Sequence, residues 1–474
     1  MASAGATSGR SGIKARGLCM ERATARTYNQ GNRGTKEMWW SMYGLKNKRP
    51  AALTMLLAVA LLAGCAKSDS IVGEQQPSPK SGNEQVALQV WGDLGNQVAL
   101  EASFRLINEN FMKQYPNIRI NYKFVQTPES LDFGLLSNEL PDIFYVQGNK
   151  TTKMSELARN GYLLPLDEYG FDLRRFPEEA VQYGTVDGKL YSSLPAFLDT
   201  KVVYYNKDIF KRYHLSPPRT WDDFIALLEA LSSRGITPIS MPGTEYKERS
   251  WMSYVLMALF AHDKSEALMN DAPGVKLTDP EFVEGLQYFR DFAEKGYFGA
   301  DYVSQDRVRW QLSFTSGEAA MIVDGSWNNL LYENSGVNLG KFYVPNREGK
   351  RIIPVSYNNW TTYSVSAATK YPEQAVQYLK YLNSREVQQL MGDATGMIPI
   401  LGDIEPSDSI QDLMKYDATV DNFTTVMAHL SKRGMDAPTL YRQTVLAELL
   451  TSKLNGKEAA ELLQEAVVYF DADP

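Results

Sequence analysis

The chain has 474 residues, 44% apolar and 22% charged, a globular composition long enough for two lobes rather than one core. A net charge of −7 and a pI near 5.3 argue against non-specific binding to nucleic acid. The two cysteines, Cys19 and Cys65, both precede the first strand-like segment. That excludes a disulfide framework, a thiolate metal site and a cysteine nucleophile from the globular part.

Near the N-terminus, Lys46, Lys48 and Arg49 stand before an apolar run, 51–63, that ends in Gly64 and Cys65. The run has the length of a signal-peptide core and is too short to cross a hydrocarbon layer of ~30 Å. Leu62-Ala63-Gly64-Cys65 resembles the lipobox of bacterial lipoproteins. That resemblance implies cleavage before Cys65, acylation of its sulfur (diacylglycerol, palmitate) and anchoring at the outer face of the cytoplasmic membrane. Buried acyl chains contribute roughly 0.8 kcal/mol per methylene to such an anchor. Residues 1–41 lack apolar periodicity, and Met42 opens a signal peptide of ordinary shape over 42–64, so the extension reads as lying outside the native product. Residues 65–85 are polar and rich in Pro, Ser and Gly, the composition of a flexible tether.

From Val86 the pattern becomes alternating strand and helix. Val86-Ala-Leu-Gln-Val-Trp91 predicts a buried strand that Gly92-Asp93 turns into a loop. Phe104, Ile107, Phe111 and Tyr115 recur at helical spacing, and Pro116 stops that helix. Ile118, Ile120, Tyr122 and Phe124 alternate as in a strand with one buried face. Asp142-Ile-Phe-Tyr-Val146 predicts a further strand. Helices are also expected after Thr220, with Phe224, Leu227, Leu228 and Leu231 facing inward, after Thr278-Asp279-Pro280, and after Tyr371-Pro372. This order implies an α/β fold of mostly parallel sheets covered by helices.

Enzymatic signatures are missing. His214, His262 and His429 are widely separated and have no metal-ligand spacing. There is no Gly-x-Ser-x-Gly elbow and no Gly-x-Gly-x-x-Gly fingerprint, and Gly184 to Lys189 reads as a turn between strands rather than a phosphate loop. Paired carboxylates such as Glu178-Glu179 and Asp222-Asp223 fall at helix starts, where a solvated role suits them. No cofactor is expected.

Short segments in order carry a family likeness: Leu88-Gln-Val-Trp-Gly92, Pro141-Asp-Ile-Phe144, Gly161-Tyr-Leu-Leu-Pro-Leu166, Tyr204-Tyr-Asn-Lys207, the run from Gly317 to Trp327, Gly396-Met-Ile-Pro399 and Leu454 to Ala460. From about Val86 onward the chain resembles family 1 extracellular solute-binding proteins, the group that includes maltose-binding protein. The resemblance implies a two-lobed, periplasmic-binding-protein-like α/β fold with the ligand in the cleft between the lobes. By analogy lobe one takes 86–200 and 358–395, and lobe two takes 201–357 and 396–474.

The same resemblance nominates ligand contacts. Trp91 ends the first strand where the family's cleft opens, and Asp142 starts a strand in Pro-Asp-Ile-Phe. Gln147 and Asn149 lie in the following loop. Asp199 matches a ligand-binding carboxylate of maltose-binding protein. Trp251 falls where the family places an aromatic wall, and Trp327 where its motif ends in a stacking tryptophan, with Asp324 just before it. Trp360 lies near the second crossing between lobes. The expected function is capture of a sugar or oligosaccharide by lobe closure, without chemistry on it, for an ABC importer. Expected partners are two membrane-spanning permease subunits, and the protein is expected to be a monomer. Alternatives are a polyamine or phosphodiester ligand in the same fold, a sensing or adhesion lipoprotein, and a lipoprotein glycosidase, whose two carboxylates would lie about 5–10 Å apart.

Overall fold

The computed structural model describes residues 85–97, 100–127, 129–148, 153–421 and 425–472. Cys65, its signal segment and Asn149 lie outside the described residues.

The first sheet is built from β1 (Val86–Asp93), β2 (Ile118–Val125), β3 (Ile143–Tyr145) and β11 (Tyr363–Val365), in the order β11-β3-β1-β2. β1 runs parallel to β2 from Val86↔Ile118 and parallel to β3 at Val90↔Ile143, whereas β11 is antiparallel to β3. Val86, Leu88 and Val90 point into the core while Ala87 and Gln89 are exposed, so the period of two sets which face of β1 is buried. Helix α1 (Glu101–Gln114) lays Phe104, Ile107 and Phe111 on that core, and its last turn closes at Tyr115, directly before Pro116. Helix α2 (Glu129–Ser137) covers the other face, where Leu131 and Phe144 form a smaller cluster. Helix α3 (Glu178–Tyr183) then leads into a hairpin of β4 (Thr185–Val186) and β5 (Lys189–Leu190). Asp187 and Gly188, with φ of 49° and 78°, make the left-handed turn such a hairpin needs. The Gly184–Lys189 segment is therefore a turn between strands.

The second sheet gathers around β6 (Phe197–Asn206), with β7 (Thr237–Ser240), β8 (Ala319–Gly325), β9 (Leu339–Phe342), β10 (Ile352–Tyr357), β12 (Ile398–Pro399) and β13 (Ala418–Asp421). β7–β8 and β10–β13 are parallel pairs. β6 is antiparallel to β8, β9, β10 and β12. Both sheets are thus mixed: β11 runs against β3 in the first, and β6 runs against its neighbours in the second. Helix α4 (Trp221–Ser232) begins with a reciprocal capping box between Thr220 and Asp223. Helix α5 (Trp251–Met269) is buried on nearly every side, as expected of a helix apolar all round. Helix α6 (Pro280–Glu294) takes Pro280 in its first turn.

Two large cores result. One draws on β1, α1 and β11, on α7 (Pro372–Leu382), and on α8 (Arg385–Thr395). The other draws on β6, α4, α5 and α6. Met397, Leu401 and Ile404 pack into the first core and Ile398 between them into the second. Trp327, Tyr357 and Ile400 pack against both cores and mark the junction.

Candidate functional site

The site grows from one face of β6. Side chains alternate along a strand, so Asp199 and Lys201 share a face. Opposite them across the sheet stand Ser356 of β10, paired with Asp199, and Gly325 of β8, paired with Lys201. Gly325 is required where it sits: a β-carbon there would lie 2.3 Å from the indole of Trp327. The tryptophan folds back over its own strand into the space the missing side chain leaves. Lys201 Nζ lies 4.0 Å from the centroid of Trp327 and 4.6 Å from that of Trp251, and the two indoles meet edge to face at 5.6 Å. A buried ammonium this close to two indoles is stabilised by the ring quadrupoles and in turn holds both rings.

Trp251 is anchored by the loop before it. Arg249 donates to the carbonyls of Gly243 at 3.1 Å and Arg442 at 2.7 Å, Glu248 is buried in an ion pair with Arg307, and Ser250 Oγ donates to the Lys247 carbonyl. Arg442 lies in a π-helical turn, Pro438–Val445.

A hydrogen-bonded chain joins this corner to lobe one. Gln97 Oε1 accepts from the backbone N–H of Asp93 at 2.6 Å, and Gln97 Nε2 donates to the Trp360 carbonyl at 2.5 Å. The N–H of Trp360 donates to Asn358 Oδ1 at 2.9 Å, and Asn358 Nδ2 donates to Asp199 Oδ1 at 3.0 Å. Asp93 itself accepts from Thr127 Oγ1. The loop after β1, the second crossing segment and the first crossing strand are therefore tied in series.

Of the residues nominated from sequence, Asp199, Trp251, Trp327 and Trp360 come together here, and Gln147 is half-buried after β3, close to Tyr145. Asp324 sits beneath the site rather than in it. Its carboxylate has no exposed surface and accepts from Gly325 N, Asn328 Nδ2 and Tyr332 Oη, so it holds the turn that carries Trp327. Burial pushes its pKa up to about 6, against the pull of those donors and of Lys201. Asp142 lies at the start of β3, level with Gln89, and accepts from Gln89 N and Thr369 Oγ1; it fastens β3 to its neighbours away from the site. Trp91 turns to the α2 side of its sheet, in the small cluster with Leu131 and Phe144, with Lys123 Nζ 4.6 Å from its ring.

Lys201, Gln97 and Asn358 were not nominated. Lys201 is hidden in an apolar strand run whose only signal is a charge at an otherwise buried position. Gln97 and Asn358 offer no pattern at all.

Residues 95–389 match the bacterial extracellular solute-binding protein family. The chain belongs to that family. The binding protein is 25% identical to an uncharacterized ABC transporter extracellular-binding protein of Pyrococcus horikoshii, over 88% of this chain and 96% of the relative. It is 23% identical to the multiple sugar-binding protein of Streptococcus mutans, covering 84% and 94%. It is 26% identical to the sn-glycerol-3-phosphate-binding periplasmic protein of Brucella abortus, covering 63% and 72%. Among solved structures, the raffinose complex of the solute-binding protein RafE aligns with a TM-score of 0.65 at 18% identity, over 81% of this chain and 99% of that one. The fold is the two-lobed, maltose-binding-protein-like one. Among the described residues, no helix is long and apolar enough to cross a membrane.

Proposed function

We propose that this binding protein captures a neutral sugar or oligosaccharide outside the cell and delivers it, unchanged, to the two permease subunits of an ABC importer. The observation that carries this reading is the half-buried indole of Trp327, held against Lys201 on the face of β6 that also bears Asp199. Indole faces suit the C–H faces of a pyranose, and a carboxylate accepts strongly from sugar hydroxyls, each charged hydrogen bond contributing roughly 1.5–3 kcal/mol. Asp199 already accepts from Asn358 through Oδ1, which fixes the carboxylate in place for a ligand.

Capture follows from the connections between the lobes. A ligand that touches residues of both lobes binds the closed arrangement better than the open one and shifts the population toward it; one that touches a single lobe shifts nothing. The chain from Asp93 through Gln97, Trp360 and Asn358 to Asp199 links the residues such a ligand would touch. In this reading the protein works as a monomer without a cofactor, and acylated Cys65 holds it at the outer face of the cytoplasmic membrane.

A polyamine is the second reading, because carboxylates such as Asp93 and Asp199 near aromatics also suit an ammonium. A phosphorylated ligand fits worse, since it would face those carboxylates with Lys201 already embraced by two indoles. A thermal-shift screen of residues 68–474 against neutral glycans, spermidine and sn-glycerol 3-phosphate separates the readings, because ligand raises stability by RT ln(1 + [L]/Kd). A shift with neutral glycans alone supports the sugar reading; a shift with spermidine or the phosphate alone overturns it.

A further inference from the structure

Lys201 stands in the middle of β6, in the run Thr200-Lys-Val-Val203, and is 2% exposed. A Leu or Met would pack among the same neighbours, whereas a buried ammonium bears the cost of leaving water. What offsets that cost is the corner formed by two indoles. Trp251 and Trp327 stand at 88° to one another with centroids 5.6 Å apart, and Nζ lies 4.6 and 4.0 Å from those centroids. These distances make a triangle with nearly a right angle at the nitrogen, so each ring turns one face to the ammonium. Trp251 is buried and Trp327 is half-buried. Because Lys201 and Trp251 are both covered, the open part of Trp327 faces away from them.

A charge behind an indole changes what its front accepts. The ammonium draws the ring's π electrons to the inner face, and its own positive field reaches through to the outer one. The C–H face of a sugar carries little charge and stacks on such a ring. A second cation gains from the ring only within about 6 Å of its centroid, and so within about 10 Å of Nζ. With one of the two charges buried, salt screens their repulsion little, and it weakens binding about tenfold. Asp199 lies two residues away on the same face of β6, whereas Asp324 pairs with Val202 and takes the opposite face. Lys201 and Asp199 together thus leave the face of Trp327 without net charge. Asp199 without Lys201 would set a carboxylate beside an open indole, the arrangement that suits an ammonium. We infer that Lys201 is a specificity-determining residue: acting through Trp327, its charge makes the outer face of the ring suit an uncharged ligand and turns away a cationic one. That role rests on the sugar reading and supplies its selectivity over a polyamine.

The test uses Lys201→Met and Lys201→Arg in residues 68–474, with raffinose, xylotriose and chitotriose as neutral probes and spermidine as the cationic one. Lys201→Met keeps an unbranched apolar stem and removes the charge; Lys201→Arg keeps the charge. Lys201→Met is expected to bind spermidine at least about tenfold more tightly than wild type, while affinity for the glycan that binds wild type changes by less than about threefold. Lys201→Arg is expected to turn spermidine away as wild type does. A measurement on wild type serves if Lys201→Met does not fold. The emission lost in Trp327→Phe is assigned to Trp327, and iodide is expected to quench it more than caesium does, each relative to free tryptophan amide, although the chain as a whole carries −7. Spermidine affinity that does not rise in Lys201→Met, or that rises equally in Lys201→Arg, gives the residue a packing role and overturns the inference while the sugar reading stands. Stronger quenching by caesium overturns it as well. If wild type binds spermidine and no glycan, both fail.

Discussion

Asn358 Nδ2 donates to Asp199 Oδ1 at 3.0 Å, so a side chain of the second crossing segment grips the carboxylate of the first. Asn358 Oδ1 receives the N–H of Trp360, whose carbonyl receives Gln97. A small amide thus sets both the direction of Asp199 and the path of the segment that bears Trp360. Asp199→Ala is expected to weaken glycan binding by about a hundredfold, since a buried carboxylate–hydroxyl bond is lost. Asn358→Ala is expected to cost about tenfold, with a larger effect on the dissociation rate than on association. Titration calorimetry with stopped-flow fluorescence checks both; equal, negligible effects would remove Asp199 from the site.

The tryptophan corner depends on Gly325. Gly325→Ala places a methyl group where the Trp327 ring lies, so the indole must leave its contact with Lys201. The expected result is a shifted tryptophan emission maximum, a melting temperature lower by several degrees, and about tenfold or greater loss of glycan affinity. Trp327→Ala is expected to match the binding loss. Unchanged emission in Gly325→Ala would show that the ring had not moved.

Asp324 ties stability to pH. Its folded pKa of about 6 lies above the 3.8 of an unburied aspartate. The protonated folded form is therefore favoured: the group's stabilising contribution is complete below the unfolded value and is lost as pH rises through about 6. Two units correspond to about 3 kcal/mol between the limits, less whatever the protein recovers by relaxing. Asp324→Asn keeps an acceptor for Asn328 and removes the charge. Its melting temperature is expected to exceed wild type by a few degrees at pH 7.5, with the gap narrowing toward pH 4. A gap that widens on acidification would contradict the assignment.

Much of the fold was legible. Thr220 and Asp223, Pro280 and Pro372 mark helix starts by local chemistry that tertiary contacts need not override. The alternation in β1 and β2 is equally local. The site was legible only in part, because its geometry arises between distant segments. Asp199 and Lys201 become neighbours of Ser356 and Gly325 through sheet register, which no short window contains. Trp91 and Asp142 had motif positions that suit a cleft, but strand alternation turns Trp91 toward α2 and parallel pairing sets Asp142 level with Gln89.

Cys65 offers a test in cells. Cys65→Ser removes the proposed acylation site and is expected to move the protein from the membrane fraction to the soluble one, with glycan affinity unchanged in the purified variant. Fractionation and metabolic palmitate labelling check this; an unlabelled, soluble wild-type protein would contradict the anchor.

In the proposed function the cleft takes an uncharged sugar and leaves it intact. The most direct measurement is titration calorimetry of residues 68–474 with raffinose, xylotriose and chitotriose, followed by chromatography of the recovered ligand. Saturable one-to-one binding of at least one of these is expected, with recovery of the same glycan and loss of the heat signal in Trp327→Ala. Heat only with spermidine or sn-glycerol 3-phosphate, or recovery of shortened glycans, would contradict it.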